Sequence, residues 1–268
     1  MVKFICLDID GTLLNSNHEI SEKNKAVIKE VTKVRNIPVI LVSARMPKGI
    51  NFLQEQLDIH EPIICYSGSL ILDKEKNILF SQYIDNSYIK DIVSEAKNLD
   101  IHISLYKDDN WYVEQLDYWA LQEKEITNIE PNVVEYTKLL TQWKLESLGC
   151  NKLLCMGASE NIQKLRDILL KRFDKQLNIY LSKPTYLEIM PKNASKTLAI
   201  SFLLDRYNIE KSELMTVGDN YNDMDMLEYA AFGIAMGNAP IEVKNIAKDI
   251  TLTNDEDGVA WAIEKYVL

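Results

Sequence analysis

Two aspartates close to the start of the chain have the clearest chemical potential. Asp8 and Asp10 follow the apolar run Phe4-Ile5-Cys6-Leu7 and precede Gly11 and Thr12. A short apolar run of this kind forms a strand buried on both faces. In extended backbone, residues i and i+2 point to the same side, so both carboxylates aim at one small volume. Gly11 then lets the chain turn. Carboxylates this close, at the end of a buried strand, repel each other and lose hydration unless a cation stands between them. Hard oxygen ligands suit magnesium. A strand that simply ends in an acidic turn would show the same residues. Three further groups decide between these readings. They are Ser43 after the run Pro38–Val42, Lys196 near the start of a helix, and the stretch Gly218-Asp219-Asn220-Tyr221-Asn222-Asp223.

The elements that must position these residues alternate between strand and helix. The opening strand is followed by a helix over Ser21–Arg35, a strand over Pro38–Val42, a helix from Pro47 to about Leu57 and a strand over Pro62–Tyr66. The same alternation returns after Ser195, with strands at Leu214–Val217, Phe232–Met236 and Ile250–Leu252 and helices between them. This pattern builds a parallel sheet with helices on its faces. Between the two halves the pattern changes to hairpins and helices, with turns at Asp73–Asn77 and at Lys107–Asn110. The Gln115–Trp143 stretch gives no readable period. The expected fold class is therefore α/β, a Rossmann-like parallel-sheet core with an inserted α+β cap domain. The core takes residues 1–82 and 190–268, and the cap takes 83–189. Ligands of open α/β sheets bind beyond the carboxyl ends of the strands, where all four groups would converge.

Composition narrows the class of partner. The chain has 268 residues, 47% apolar and 26% charged, as in an ordinary globular protein of two domains. A net charge of −10 argues against sequence-independent nucleic-acid binding, which needs a basic surface. No apolar run reaches the roughly 18 residues of a membrane span, and the opening residues lack a secretory pattern. The four cysteines form no C-x-x-C pair, and Cys6 and Cys65 sit in strand-like runs, so reduced core thiols in a cytoplasmic protein are expected. His18, His60 and His102 are scattered without ligand spacing, which argues against zinc. Trp111, Tyr112, Trp119 and Trp143 all lie in the insertion and read as its core.

Taken together, these residues resemble the haloacid dehalogenase-like hydrolases, and within them the Cof-type phosphatases with a large α/β cap. The run Leu7–Leu14 is similar to that superfamily's first motif and Leu41–Arg45 to its second. Lys196 within Pro191–Ile200 is similar to the third, and Val217–Leu227 to the fourth. The likeness spans the whole chain, including Leu187–Lys192 just before the third motif. From the residues alone, Asp8 is equally a nucleophile or a plain metal ligand, Ser43 a helix cap, and Lys196 one surface lysine among many. The resemblance implies that Asp8 is a nucleophile that forms an aspartyl-phosphate. It implies that Asp10 protonates the leaving alcohol, then deprotonates water, and ligates Mg²⁺ through its main-chain carbonyl. Ile9, Ser43, Ala44, Lys196 and Asn222 would contact the phosphate; Asp8, Asp10 and Asp219 would hold the metal, with Asp223 supporting them from behind. The related cation-pumping ATPases carry Lys where Ile9 stands and Thr where Asp10 stands, so the second aspartate favours a phosphatase.

The pattern departs from its relatives at Ala44 and Asn193, where glycine is common, and at Ser67-Gly68-Ser69, where Asn-Gly-Ala is common. No contact is assigned to Ser67. Arg45 fits a site or a surface role, and Asp225 and Glu228 read as solvated. The expected partner is a small phosphorylated metabolite, with the protein a monomer or weak homo-oligomer and the cap closing over the site to select the leaving group. Two rivals remain: a sugar phosphomutase on the same scaffold, and a non-catalytic phosphometabolite-binding protein. The first would need cap arginines for a second phosphate, and the insertion has only Arg166 and Arg172.

Overall fold

The computed structural model describes residues 1–268, which divide into two compact units. One comprises Met1–Arg45, Ile50–Leu79 and Ser195–Leu268; the other comprises Met46–Gly49 and Phe80–Ala194. In chain order the first half forms β1 (Phe4–Asp8), α1 (Glu22–Lys33), β2 (Val39–Val42), α2 (Pro47–Leu57), β3 (Ile63–Cys65), β4 (Leu70–Leu72) and β5 (Ile78–Ser81). The insertion forms α3 (Asn86–Asn98), β6 (His102–Lys107), β7 (Asn110–Val113), α4 (Tyr118–Thr127), β8 (Asn132–Val133), α5 (Tyr136–Leu145), β9 (Lys152–Met156), α6 (Ser159–Phe173), β10 (Leu177–Lys183) and β11 (Tyr186–Pro191). The chain then completes α7 (Lys196–Tyr207), β12 (Leu214–Gly218), α8 (Met224–Tyr229), β13 (Phe232–Ala235), α9 (Ile241–Ile246), β14 (Asp249–Ile250) and α10 (Gly258–Tyr266).

The first sheet has the order β14-β13-β12-β1-β2-β3-β4-β5. Its strands run parallel from β14 to β3, and β4 then turns back antiparallel to β3. All five residues of β1 and all four of β2 are buried, which is why these strands read as continuous apolar runs rather than as alternating ones. β1 is the centre. The chain proceeds outward from it through β2 and β3, and returns on its other side through β12 and β13. The carboxyl ends of β1 and β12 therefore flank the point where the strand order reverses, and their register pairs Leu7 with Val217. Asp8 and the turn after Gly218 emerge side by side as a result.

The second sheet has the order β10-β11-β9-β6-β7-β8 and is antiparallel except for the β7–β8 pair. Side chains alternate across it. Ile103, Leu105, Leu153, Cys155, Leu187 and Ile189 pack against α3, α5 and α6 in a closed core of their own. Trp143 belongs to that core and Trp111 is buried, whereas Trp119 is only part-buried. The stretch unreadable in sequence contains α4, β8 and α5. Only Ala120 is buried in α4, while Tyr118, Leu121 and Ile126 are exposed, so no apolar stripe marks this helix. No helix in the chain is long and apolar enough to cross a membrane.

Because the insertion has its own core, damage there is expected to stay there. Leu165→Ala, at a fully buried position of α6, should destabilise that unit by about 2–5 kcal/mol. Hydrogen exchange should then rise across α3, α5 and α6 but not in β1, β2 or β12. An equal rise in β1 would contradict independent cores.

Candidate active site

Asp8 is the last residue of β1, and Lys196 is the first of α7. α7 starts there because Ser195 is extended and its side chain accepts the backbone N–H of Leu198. This start aims the Lys196 ammonium inward. Its Nζ lies 2.5 Å from Asp8 Oδ1 and 2.5 Å from Asp223 Oδ1. All three side chains are buried, Lys196 at 3% exposure and Asp223 at 0%. Asp223 ends the single tight turn Tyr221–Asp223 after β12, and its Oδ2 accepts the backbone N–H groups of Asp219 and Asn220, each at 3.0 Å. Both of its oxygens are therefore engaged.

Asp219 sits between this turn and the loop after β1. Its Oδ1 accepts the Thr12 hydroxyl at 3.1 Å. Its carboxylate lies so close to Gly11 that a Cβ there would stand 2.4 Å from Oδ2, and the φ of +83° at Gly11 is itself a glycine conformation. Asn238, beyond β13, donates from Nδ2 to the Gly11 carbonyl at 2.9 Å and fixes the same loop. The carboxylates of Asp8, Asp219 and Asp223 offer oxygens that all lie within 4.8 Å of one another.

Three carboxylates face one ammonium in this buried cluster, and the protonation equilibria carry the strain. Burial, then the nearby Asp223, push the Asp8 carboxyl well above the ordinary carboxylate range, although Lys196 pulls against them. Burial and Asp223 likewise push Asp219 up to about 6, against the Thr12 hydrogen bond. Burial alone would lower the Lys196 ammonium's pKa, but Asp223 and Asp8 outweigh it and hold that pKa above its usual value. The surplus negative charge and the all-oxygen donor set fit a hard divalent cation. Asp8 and Asp219 have the capacity to bind it, while Asp223 is committed to Lys196 and the turn.

The remaining sequence candidates are distributed around this cluster. The Asp10 carboxylate, expected from its i, i+2 spacing to share one volume with Asp8, is not among the clustered carboxylates; it is half exposed and held by a two-pronged Arg45 guanidinium, Nε to Oδ2 at 2.9 Å and Nη2 to Oδ1 at 2.5 Å. Ser43 is buried at the end of β2, and its Oγ accepts the Arg45 backbone N–H at 3.2 Å. Ala44 is part-buried beside it. The Ile9 side chain is fully buried, so only its backbone is available to a ligand. Asn222 is exposed on the turn, as are Asp225 and Glu228 on α8. Thr12 and Asn238 were not singled out in the sequence. Thr12 is the next residue after the Asp-Ile-Asp-Gly run, but the role of Asn238 depends on β13 lying beside β12, which one strand alone does not reveal. His102 lies in the insertion, between Asp117 at 2.8 Å and Ser104 at 2.9 Å, far in sequence from any metal-like group.

The family model described as haloacid dehalogenase-like hydrolase matches residues 5–263. A Bacillus subtilis protein named 5-amino-6-(5-phospho-D-ribitylamino)uracil phosphatase is 31% identical, over 98% of this chain and 98% of its own. A crystal structure of a haloacid dehalogenase-like hydrolase from Bacteroides thetaiotaomicron is similar with a TM-score of 0.89 and 31% identity, covering 99% of both chains. A Thermotoga maritima crystal structure is similar with a TM-score of 0.88 and 33% identity, covering 100% of this chain and 98% of the other. With the family model matched from β1 to α10 and these similarities extending over nearly the whole chain, the chain belongs to the haloacid dehalogenase-like hydrolase family.

Proposed function

We propose that the protein is a Mg²⁺-dependent phosphatase that hydrolyses small phosphomonoesters, sugar phosphates or phosphorylated cofactors, through an aspartyl-phosphate on Asp8. The observation that carries this reading is the buried Asp8 carboxylate, held at the end of β1 by Lys196 and flanked by Asp219. The names of the relatives support the phosphatase class. In this reading an Asp8 oxygen attacks phosphorus, and the bond from phosphorus to the ester oxygen breaks. The Asp10 carboxyl gives its proton to that oxygen as the alcohol leaves. The Asp10 carboxylate then takes a proton from water, the water oxygen attacks phosphorus, and the acyl phosphate bond breaks to return Asp8 and release phosphate. Lys196 offsets the negative charge of Asp8 and the phosphoryl group, and the Ser43 hydroxyl and the backbone of Ile9 and Ala44 bind phosphoryl oxygens. Magnesium held by Asp8, Asp219 and the Asp10 carbonyl would supply further charge neutralisation.

Arg45 now has a part. Its guanidinium takes one lone pair on each Asp10 oxygen and leaves the others open to a proton, so Arg45 orients the carboxyl for transfer. The insertion is proposed as the source of substrate preference. For a phosphomutase, Arg172 is already bound to Asp91 and Glu95, which leaves Arg166 as the insertion's one other arginine. The four cysteines are buried and free, which suits a reducing cytoplasm.

Turnover of an aryl phosphate such as p-nitrophenyl phosphate is expected to require Mg²⁺ and to stop in chelator. Asp8→Asn should abolish it, and Asp10→Asn should slow it by about 10²–10⁴-fold. Hydrolysis that persists in chelator or in Asp8→Asn would contradict the mechanism.

Asp219 supplies a second test through its raised pKa of about 6. A carboxyl raised on folding favours the folded state below its unfolded value near 3.9, and that advantage is lost as pH rises through about 6. In chelator, Asp219→Asn should therefore be more stable than the native protein above about pH 7, by about 3 kcal/mol, and equal to it below about pH 4. Added Mg²⁺ should raise the melting temperature of the native protein but not of the variant. A native protein insensitive to Mg²⁺ would count against the metal site.

A further inference from the structure

Between β3 and β4 the chain takes three consecutive residues through positive φ: 50° at Tyr66, 52° at Ser67 and 102° at Gly68. Glycine accepts such angles freely, but tyrosine and serine do so only when their surroundings impose it. The surroundings here are the site itself. The Ser67 N–H donates to the Ser43 carbonyl at 2.9 Å, and the Tyr66 N–H to the Arg45 carbonyl at 3.2 Å. On the other side, a Cβ on Gly68 would stand 2.2 Å from the Ser195 carbonyl oxygen, one residue before Lys196. The turn is thus fixed between the loop that carries Ser43 and the start of α7.

Ser67 adds a second anomaly. It is 8% exposed, and its buried Oγ has no hydrogen-bond partner. Buried hydroxyls are nearly always paired, because an unpaired one has given up water for nothing. An alanine would keep the same backbone bonds to Ser43 without that penalty. A strained backbone and an orphaned donor at one residue, bonded to Ser43 and followed by a glycine packed on Ser195, are accounted for together by a ligand oxygen.

We propose that Ser67 is a further substrate-binding residue, whose hydroxyl donates a hydrogen bond to a phosphoryl oxygen of the bound ester and of product phosphate. This rests on the phosphatase reading above and adds a contact to it. No covalent step involves Ser67.

The test is calorimetric titration of inorganic phosphate, in magnesium chloride, into the native protein, Ser67→Ala and Ser67→Gly, with melting temperatures measured alongside. Glycine removes the hydroxyl and suits the left-handed backbone better than serine, which guards against loss of folding. Both variants should bind phosphate about tenfold more weakly or worse, with melting temperatures unchanged or raised, since an orphaned buried hydroxyl has been removed. Native affinity in either variant would overturn the inference. So would a loss of affinity accompanied in both variants by a fall in melting temperature, which would mark a structural hydroxyl. A native protein that neither binds phosphate nor hydrolyses a phosphoester would overturn the phosphatase reading and this inference with it. Native binding that survives both substitutions would overturn this inference alone.

Discussion

The Lys196 ammonium, buried between Asp8 and Asp223, is the interaction on which the rest of this site depends. A buried charge is tolerable only when its partners are in place, and removal of one partner from such a pair typically costs about 3–5 kcal/mol. Here the lysine at the start of α7 takes its two partners from two other segments, the end of β1 and the turn after β12. Satisfying one ammonium therefore brings the carboxyl ends of two adjacent parallel strands and a helix start to one point. Lys196 follows the whole insertion in the chain, so a segment of more than one hundred residues can leave and return while the site is fixed by the lysine that opens the first helix after the return.

The same cluster is deliberately short of positive charge. Asp223 is saturated by Lys196 and two backbone N–H groups. Asp8 and Asp219 remain with pKa values raised by burial and by the neighbouring Asp223 carboxylate. Such a site favours folding least when it is fully ionised and empty of cations, which is the usual balance at a functional centre. The charge deficit and the affinity for a divalent cation are one property. Ser67 extends the pattern to hydrogen bonding, since its hydroxyl is also left without a partner beside the same loops.

Much of this was legible in the sequence, for identifiable reasons. Strands buried on both faces, such as β1 and β2, are written as unbroken apolar runs, and their alternation with helices gave the parallel sheet. Asp8, Asp219 and Asp223 stand at element termini, where chemistry-bearing residues interrupt apolar segments, whereas Lys196 reads locally as one surface lysine among many and only the resemblance of its motif marks it. Positions that depend on tertiary neighbours were harder to read. Nothing local distinguishes Arg45 gripping Asp10 from a surface arginine, or ties Asn238 to Gly11. α4 escaped because it buries only Ala120, so its sequence has no amphipathic period. Nothing local marks Ser67, whose meaning lies in its backbone angle and in the absence of a partner, neither of which has a residue signature.

The central claim is that Asp8, held by Lys196, is the atom donor to phosphorus. The most direct measurement is acid-quenched mass spectrometry of the Asp8-bearing peptide during turnover of an aryl phosphate with Mg²⁺, in an Asp10→Asn background where hydrolysis of the intermediate is slowed. The account predicts a phosphoryl group on Asp8 that disappears when a chelator replaces Mg²⁺. Turnover with no phosphoryl group on that peptide, or with the group on another residue, would contradict it.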